Sequence, residues 1–454
     1  MTAIAGLLLI AAAFGAQAGA EHTSTPASLE GRPPARQISA LQPAVDAARP
    51  GETIEVPPGT YDGDLFIDKP LRLVGRNRPL LRGSGAGSVV RVRADGVTLE
   101  GFDIDGRGGG DLGRDASGVH VAARDAVIRD CRVTNALFGV YLLEAHGSTV
   151  EACRIRGIPG KDPGEKGSGI HAYNTERFRF IANEVVDARD AIYLQNSSKG
   201  VIRGNRARDM RYGLHYMFSD DNLFEDNVFE NGDAGSAIMF SERIVFRRNQ
   251  FISNRGFASV GLLLQQCDDV LAESNLIADN ARGVFLEGTQ RVVFRGNIIA
   301  QSDAAIVAFD SARATRFEGN SFVGNMSPLL LAGRRLDAVF RGNYWSGHAE
   351  PDLDGDGRTE RPYRLTSVFD HMRGNLTAAD LYVDGFAGIA LSLAETAFPV
   401  LEPFRVTEEA PLARPPALPD VPRAGGAERR QNYAGLGASA LVLALGAWVL
   451  RGAA

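Results

Sequence analysis

The chain has 454 residues, 44 % of them apolar, with 52 glycines and a formal net charge of -6. That is enough apolar side chain for a large core, and length alone would suit about three domains. No Lys or Arg cluster stands out as a basic footprint, so nucleic acid is set aside as a partner, and three cysteines are too few for a disulfide scaffold, so packing must hold the fold.

In chain order, residues 1–20, MTAIAGLLLIAAAFGAQAGA, carry no charge, an apolar stretch from Ile4 to Phe14 and small-residue cleavage candidates around Ala16, Ala18 and Ala20. They read as a secretory signal, although no Lys or Arg precedes the apolar stretch; a buried N-terminal helix is the competing reading. Residues 21–37 read as a linker. Residues 38–89 read as an N-terminal cap and first coils, with a short helix from Ile38 to Ala48 before PGETIEVPPGTY turns into strands. A polar cap is what an open β stack requires.

Residues 90–345 repeat. Asparagines recur at Asn183, Asn205, Asn227, Asn249, Asn275, Asn297, Asn320 and Asn343, at intervals of 22, 22, 22, 26, 22, 23 and 23. Each sits in a similar phrase, such as VIRGNRARD, LFEDNVFEN, VFRRNQFIS and VFRGNIIAQ, so several residues fix the register. Traced backwards past an insertion of about eight residues within IPGKDPGEKG, the phase lands on Cys153 and then Cys131. Short β-branched and aromatic segments separated by Asn, Asp or Gly suit three strands per turn and exclude paired helices. The predicted fold is all-β: a right-handed parallel β-helix of about ten coils with a 22-residue repeat, a helical cap and a C-terminal apolar helix. Coils stack about 4.8 Å apart, so inward asparagines one period apart can hydrogen-bond along the stack.

Residues 346–398 read as an acidic exit loop and C-terminal cap. Asp352, Asp354 and Asp356 precede Gly357 in DxDxDG, which is similar to the opening of a calcium loop; the twelfth position from Asp352 is Tyr363 and not Glu, so it is no EF-hand. A calcium-stabilised turn and a solvated acidic turn both fit. LTAADLYVDGFAGIALSLAETA reads as helices closing the stack, and residues 399–432 as a proline-rich tether. Residues 433–450 lack charge and reach the length of a bilayer core, so a membrane anchor is expected, with a helix packed on the body or on a partner as the alternative.

Alternation within the strands assigns their faces. In GVHV, GVYL, GIHA, AIYL and GLHY, the residues Val119, Val140, Ile170, Ile192 and Leu214 point inward. His120, Tyr141, His171, Tyr193 and His215 then form an outward row, and Tyr173, Gln195, Met217 and Met239 the next, on an exposed strip. His215 and Met217 are two apart, and Met239 follows Met217 by one period, so one imidazole and two thioethers can converge. Such ligands suit monovalent copper in an oxidising compartment. A purely solvent-facing or hydrogen-bonded histidine is the bland reading of the same residues. Cys131 and Cys153 occupy the inward ladder position and read as small buried residues before they read as a soft-metal pair.

The phrases YGLHYMFSDDNLFEDNVFENGDAGSAIMFSERIVFRRNQF, GVYLLEAHGSTVEACRIRG, GSGIHAYNT and GNYWSGHAEPDLDGDG resemble the NosD family, accessory proteins of nitrous oxide reductase maturation, over roughly residues 38–405. The resemblance implies a periplasmic, non-enzymatic partner of an ABC permease and ATPase. It also implies receipt of copper from a membrane-anchored chaperone and handover to apo nitrous oxide reductase. The relay set His171, His215, Met217 and Met239 is read from the faces, not from the family. The competing class is a polysaccharide-binding or polysaccharide-cleaving β-helix, which would need paired carboxylates on adjacent coils; the strip itself carries His, Tyr, Met and Gln.

Overall fold

A computed structural model of the chain describes residues 37–108, 116–256, 259–376 and 406–416. The expected signal, most of the linker, the LTAADLYVDG helices and the apolar segment 433–450 lie outside these residues. Among the described residues no helix is long and apolar enough to cross a membrane.

Most turns of chain supply three short strands, while Ala234–Arg247 and Val260–Glu273 each run unbroken across two faces. Two of the three faces join in one 23-stranded sheet and the third face is a 13-stranded sheet. Pairing is parallel throughout the stack, with residues one period apart as direct partners: Val119, Val140, Ile170, Ile192 and Leu214 stand in one column. The fold is therefore the expected parallel β-helix, with thirteen strands on the third face where about ten coils were read from the repeat. The extra turns include Thr60–Asp62 and Leu80–Arg82, which carry no ladder residue and so left no periodic mark.

The corner before the third face explains the repeating phrases. The residue ahead of each ladder position has a left-handed backbone: φ is 47° at Asp130, 53° at Ala152 and Ala182, 66° at Gly204 and 52° at Arg248. Such a corner favours Gly, Asn or Asp and turns the next side chain into the stack. There the asparagines bond in series. Asn205 Oδ1 accepts from the Asn183 backbone amide at 3.0 Å and from Asn183 Nδ2 at 2.9 Å, while Asn183 Nδ2 also donates to the Val150 carbonyl at 2.9 Å. The pattern repeats to Asn343. All eight asparagines are buried, so the ladder satisfies backbone groups that a dry interior would otherwise leave unpaired. In a second series, Thr175, Ser197, Ser219 and Ser241, each backbone amide donates to the hydroxyl oxygen of the next coil at 2.9–3.1 Å. Between the polar columns run aliphatic side chains and stacked rings, such as Phe294, Phe317 and Phe340, each centroid 4.9 Å from the next.

Both ends differ in detail from the sequence reading. The entry helix covers Gln42–Ala47 and not Ile38–Ala48, because Ile38 pairs in parallel with Asp64 and extends the sheet before the helix begins. Val45 seats the helix on the core. At the exit, helix Val368–Asn375 lies on strand Ser327–Ala332, with Asn375 Nδ2 donating to the Leu331 carbonyl at 3.0 Å. Residues 406–416 fall within the stretch read as a tether, yet they return to the stack: Thr407–Glu408 pairs antiparallel with Tyr363–Arg364, and the Leu412 amide donates to the Asn343 carbonyl at 2.8 Å. The cause is chemical. Glu408 accepts from the Asn343 amide at 2.6 Å and from Trp345 Nε1 at 2.6 Å, supplying the acceptors that a further asparagine would have provided.

Candidate functional site

The site is built on strands Phe138–Leu143, Ile170–Tyr173, Asp190–Gln195, Tyr212–Met217 and the first half of Ala234–Arg247. Their inward residues anchor them, so the outward residues are set by register. His120, Tyr141, His171, Tyr193 and His215 occupy one row. Their rings form a continuous column, with successive centroids 5.2, 4.5, 4.4 and 4.7 Å apart. In the neighbouring row Tyr173, Gln195, Met217 and Met239 are successive partners.

The strip is not exposed as expected. Met217 is 7 % and Met239 3 % accessible, and they pack with Tyr193 in a small apolar cluster outside the solenoid core. Rings and thioethers one coil apart lie at contact distance, so each covers the next.

His215 is held by a network that the sequence reading did not find. Asp190, 1 % exposed, sits at the start of its strand and takes His215 Nδ1 at 3.0 Å. The same carboxylate accepts from Arg211 Nε at 2.9 Å and Nη2 at 2.7 Å, and the guanidinium lies 4.4 Å from the Tyr212 ring centroid. Burial works to raise the Asp190 pKa, but the bonds and charges of His215 and Arg211 outweigh it and hold the carboxyl well below the usual range. Burial pushes the Tyr212 phenol up to about 12. With Nδ1 committed to a carboxylate, His215 keeps Nε2 for a ligand, the arrangement by which a second partner orients a metal-binding imidazole. A trace of this network stands in the sequence: Asp190 and Arg211 are charged residues at strand starts, nearly one period apart.

His171 stands apart. Tyr193 lies between it and His215, so the two imidazoles are two coils apart, roughly 10 Å by the strand spacing. They do not share one ligand sphere. His171 Nδ1 is buried without a hydrogen-bond partner. Burial, reinforced by the charges of His215 and Arg189 and opposed by Asp190, lowers its pKa to about 3. It is a neutral imidazole with an open nitrogen, the form in which histidine ligates a metal. Of the four residues proposed from sequence, the structure thus brings Met217 and Met239 together, sets His215 two positions along the same strand, and leaves His171 as a separate station.

At the exit loop, oxygens of Asp352, Asp354 and Asp356 lie within 4.8 Å of one another. These carboxylates already accept backbone amides: Asp352 from Gly355 at 2.7 Å and Gly357 at 3.0 Å, and Asp356 from Arg358 at 2.8 Å. Hydrogen bonds alone therefore account for the turn, and the oxygen-only donor set also fits a hard cation.

Comparison with known proteins turns on the same stretch. The family model described as "Periplasmic copper-binding protein (NosD)" matches residues 157–350, which contain the whole relay set. The chain is 29 % identical over 381 residues to "Probable ABC transporter binding protein NosD" of Pseudomonas aeruginosa, covering 79 % of this chain and 87 % of that protein. The chain is thus similar to NosD proteins over about four fifths of its length, and its central stretch matches their family model. A NosD relative from Stutzerimonas stutzeri is 27 % identical over 381 residues, covering 80 % of this chain and 86 % of that one. Solved structures share the fold alone. A family 28 exopolygalacturonase of Yersinia enterocolitica superposes with a TM-score of 0.55 at 14 % identity, over 67 % of this chain and 75 % of its own. The periplasmic alginate epimerase AlgG gives 0.50 at 13 %, over 63 % and 78 %. The NosD match does not reach the Asp352 loop beyond residue 350.

Proposed function

We propose that this chain is a periplasmic accessory protein for nitrous oxide reductase maturation. In this reading it accepts copper, as Cu(I), from a membrane-anchored chaperone and passes it to the apo-reductase, working with the permease and ATPase of an ABC transporter. The observation that carries the reading is the row Met217 over Met239 beside His215, in register on one outer face within the stretch matched by the family. Thioether sulfur and imidazole nitrogen are soft to borderline ligands that favour Cu(I), and a water-poor setting protects that state. Copper is the cargo. His215 Nε2 and the two thioethers hold it, Asp190 and Arg211 fix the angle of the imidazole, and His171 gives a second stop along the ring column.

The names of the relatives support the transporter link, and the ladder-built platform needs no catalytic step for it. The enzyme reading is disfavoured by Asp190, the carboxylate nearest the ring column, because Arg211 and His215 already consume it. Calcium at Asp352, Asp354 and Asp356 is assigned a stabilising role at the exit turn, and residues 433–450 the membrane contact.

Anaerobic Cu(I) titration of the mature protein tests the reading. His215→Ala and Met217→Leu should each weaken binding about tenfold or more, the loss of one ligand of roughly 1.4 kcal/mol or greater. Unchanged affinity in both variants would remove this site from the proposal.

A further inference from the structure

Three cysteines are free in this structure and all are buried. Two of them are not independent. Arg132 and Arg154 are register partners, and the Arg154 amide donates to the Cys131 carbonyl at 2.9 Å. The Arg206 amide donates in the same way to the Asn183 carbonyl at 2.8 Å. Cys131 and Cys153 therefore stand to each other as Asn183 stands to Asn205, whose side chains meet at 2.9 Å.

The sulfurs also take over the asparagine contacts. Cys131 Sγ lies 3.3 Å from the Arg129 carbonyl and 3.8 Å from that of Leu99, and Cys153 Sγ lies 3.4 Å from the Glu151 carbonyl and 3.5 Å from that of Ile128. Cys153 in turn joins the amide series, its N–H donating to Asn183 Oδ1 at 3.0 Å. Directly after this coil comes the insertion that breaks the repeat, including the short helix Pro163–Glu165. At the other end the ladder closes on the Glu408 carboxylate. Its first rung is thus a thiol facing a thiol, where a weak S–H donor replaces an amide.

We propose that Cys131 and Cys153 are a modification site, oxidised to an intrachain disulfide that locks the first rung of the ladder beside the insertion. Coil spacing of about 4.8 Å lies within the Cα separations of about 4.4–6.8 Å that disulfides span. The oxidant is an external disulfide, met while the coil is still open. The Cys153 thiolate attacks one of its sulfurs, forming a mixed disulfide and releasing one thiol. The Cys131 thiolate then attacks the Cys153 sulfur and releases the second. Two cysteine thiols are oxidised, the external disulfide is reduced to two thiols, and the balance closes. Once packed, the bond is shielded from reductants. Cys267 has no part, lying on another column among Ile238 and Gln265 carbonyls.

The full chain, exported to a bacterial periplasm and purified without reductant, is denatured in excess iodoacetamide and weighed intact. One adduct, on Cys267, is expected before reduction and three after it, with a cross-linked Cys131–Cys153 peptide on digestion. Cys131→Ser should give two adducts without reduction. Three adducts on the unreduced wild type, or a linked peptide containing Cys267, would overturn the proposal. Neither result bears on copper binding, which the titration of His215 and Met217 variants decides separately.

Discussion

Strand Tyr212–Met217 faces two environments at once. Leu214 and Tyr216 point inward, fully buried; even the Tyr216 hydroxyl is provided for, donating to the Ser219 carbonyl and accepting from Asn222 Nδ2 at 2.7 Å. His215 and Met217 point outward into the column of rings and thioethers. From Asn183 to Asn343 the interior repeats one solution in successive coils, because each coil must satisfy the same backbone groups. The outer face changes from coil to coil and leaves a nitrogen of His171 unpaired. Where satisfaction is complete the residue is structural; where a good ligand atom remains open, the fold has left room for chemistry.

Substitution inside should break this contrast most visibly. Asn249→Ala removes the acceptor for the Asn227 amide and side chain and the donor to the Phe224 carbonyl. Urea unfolding should show a loss of about 3–5 kcal/mol, as expected when a buried hydrogen-bond network is broken. On the outer side, Asp190→Asn removes the carboxylate charge that Arg211 and His215 share. A loss of about 2–3 kcal/mol is expected by the same measurement, below that for an entirely broken buried pair because the amide keeps one acceptor.

Acid sharpens the comparison further. His171 has a pKa near 3 in the folded chain, against an ordinary value near 6.5. Between those values the unfolded chain takes up a proton that the folded chain refuses, so its share of stability is present above pH 6.5 and lost as pH falls toward 3. About 2 kcal/mol should be missing at pH 5, and His171→Gln should flatten the stability profile between pH 7 and 5. The smallest effect belongs to the outer thioethers. Replacing Met217 and Met239 together by Leu conserves volume and should change unfolding free energy by less than about 1.5 kcal/mol, while Cu(I) affinity falls.

These differences also explain what could be read from the chain alone. The ladder and the two outward rows were legible because register multiplies a weak signal: Asn183 through Asn343 and His120 through His215 each recur in phase. The serine series from Thr175 to Ser241 was equally periodic, but its residue types are common in turns and drew no attention. Asp190 and Arg211 were missed because they act as a single pair between two neighbouring coils, where no repetition marks them. The burial of Met217 and Met239 depends on contacts across coils, which alternation along one strand cannot report. The return of residues 406–416 to Asn343 spans more than sixty residues and was hidden by their proline-rich composition.

Glu408 has a further consequence. A parallel stack can in principle grow without limit, since its last coil offers the same unpaired edge as every coil before it. Here the edge amide of Asn343 meets a carboxylate instead of another asparagine, and Leu412 takes up the neighbouring carbonyl. A second molecule therefore finds the Asn343 edge already taken, by the Glu408 carboxylate and the Leu412 amide together.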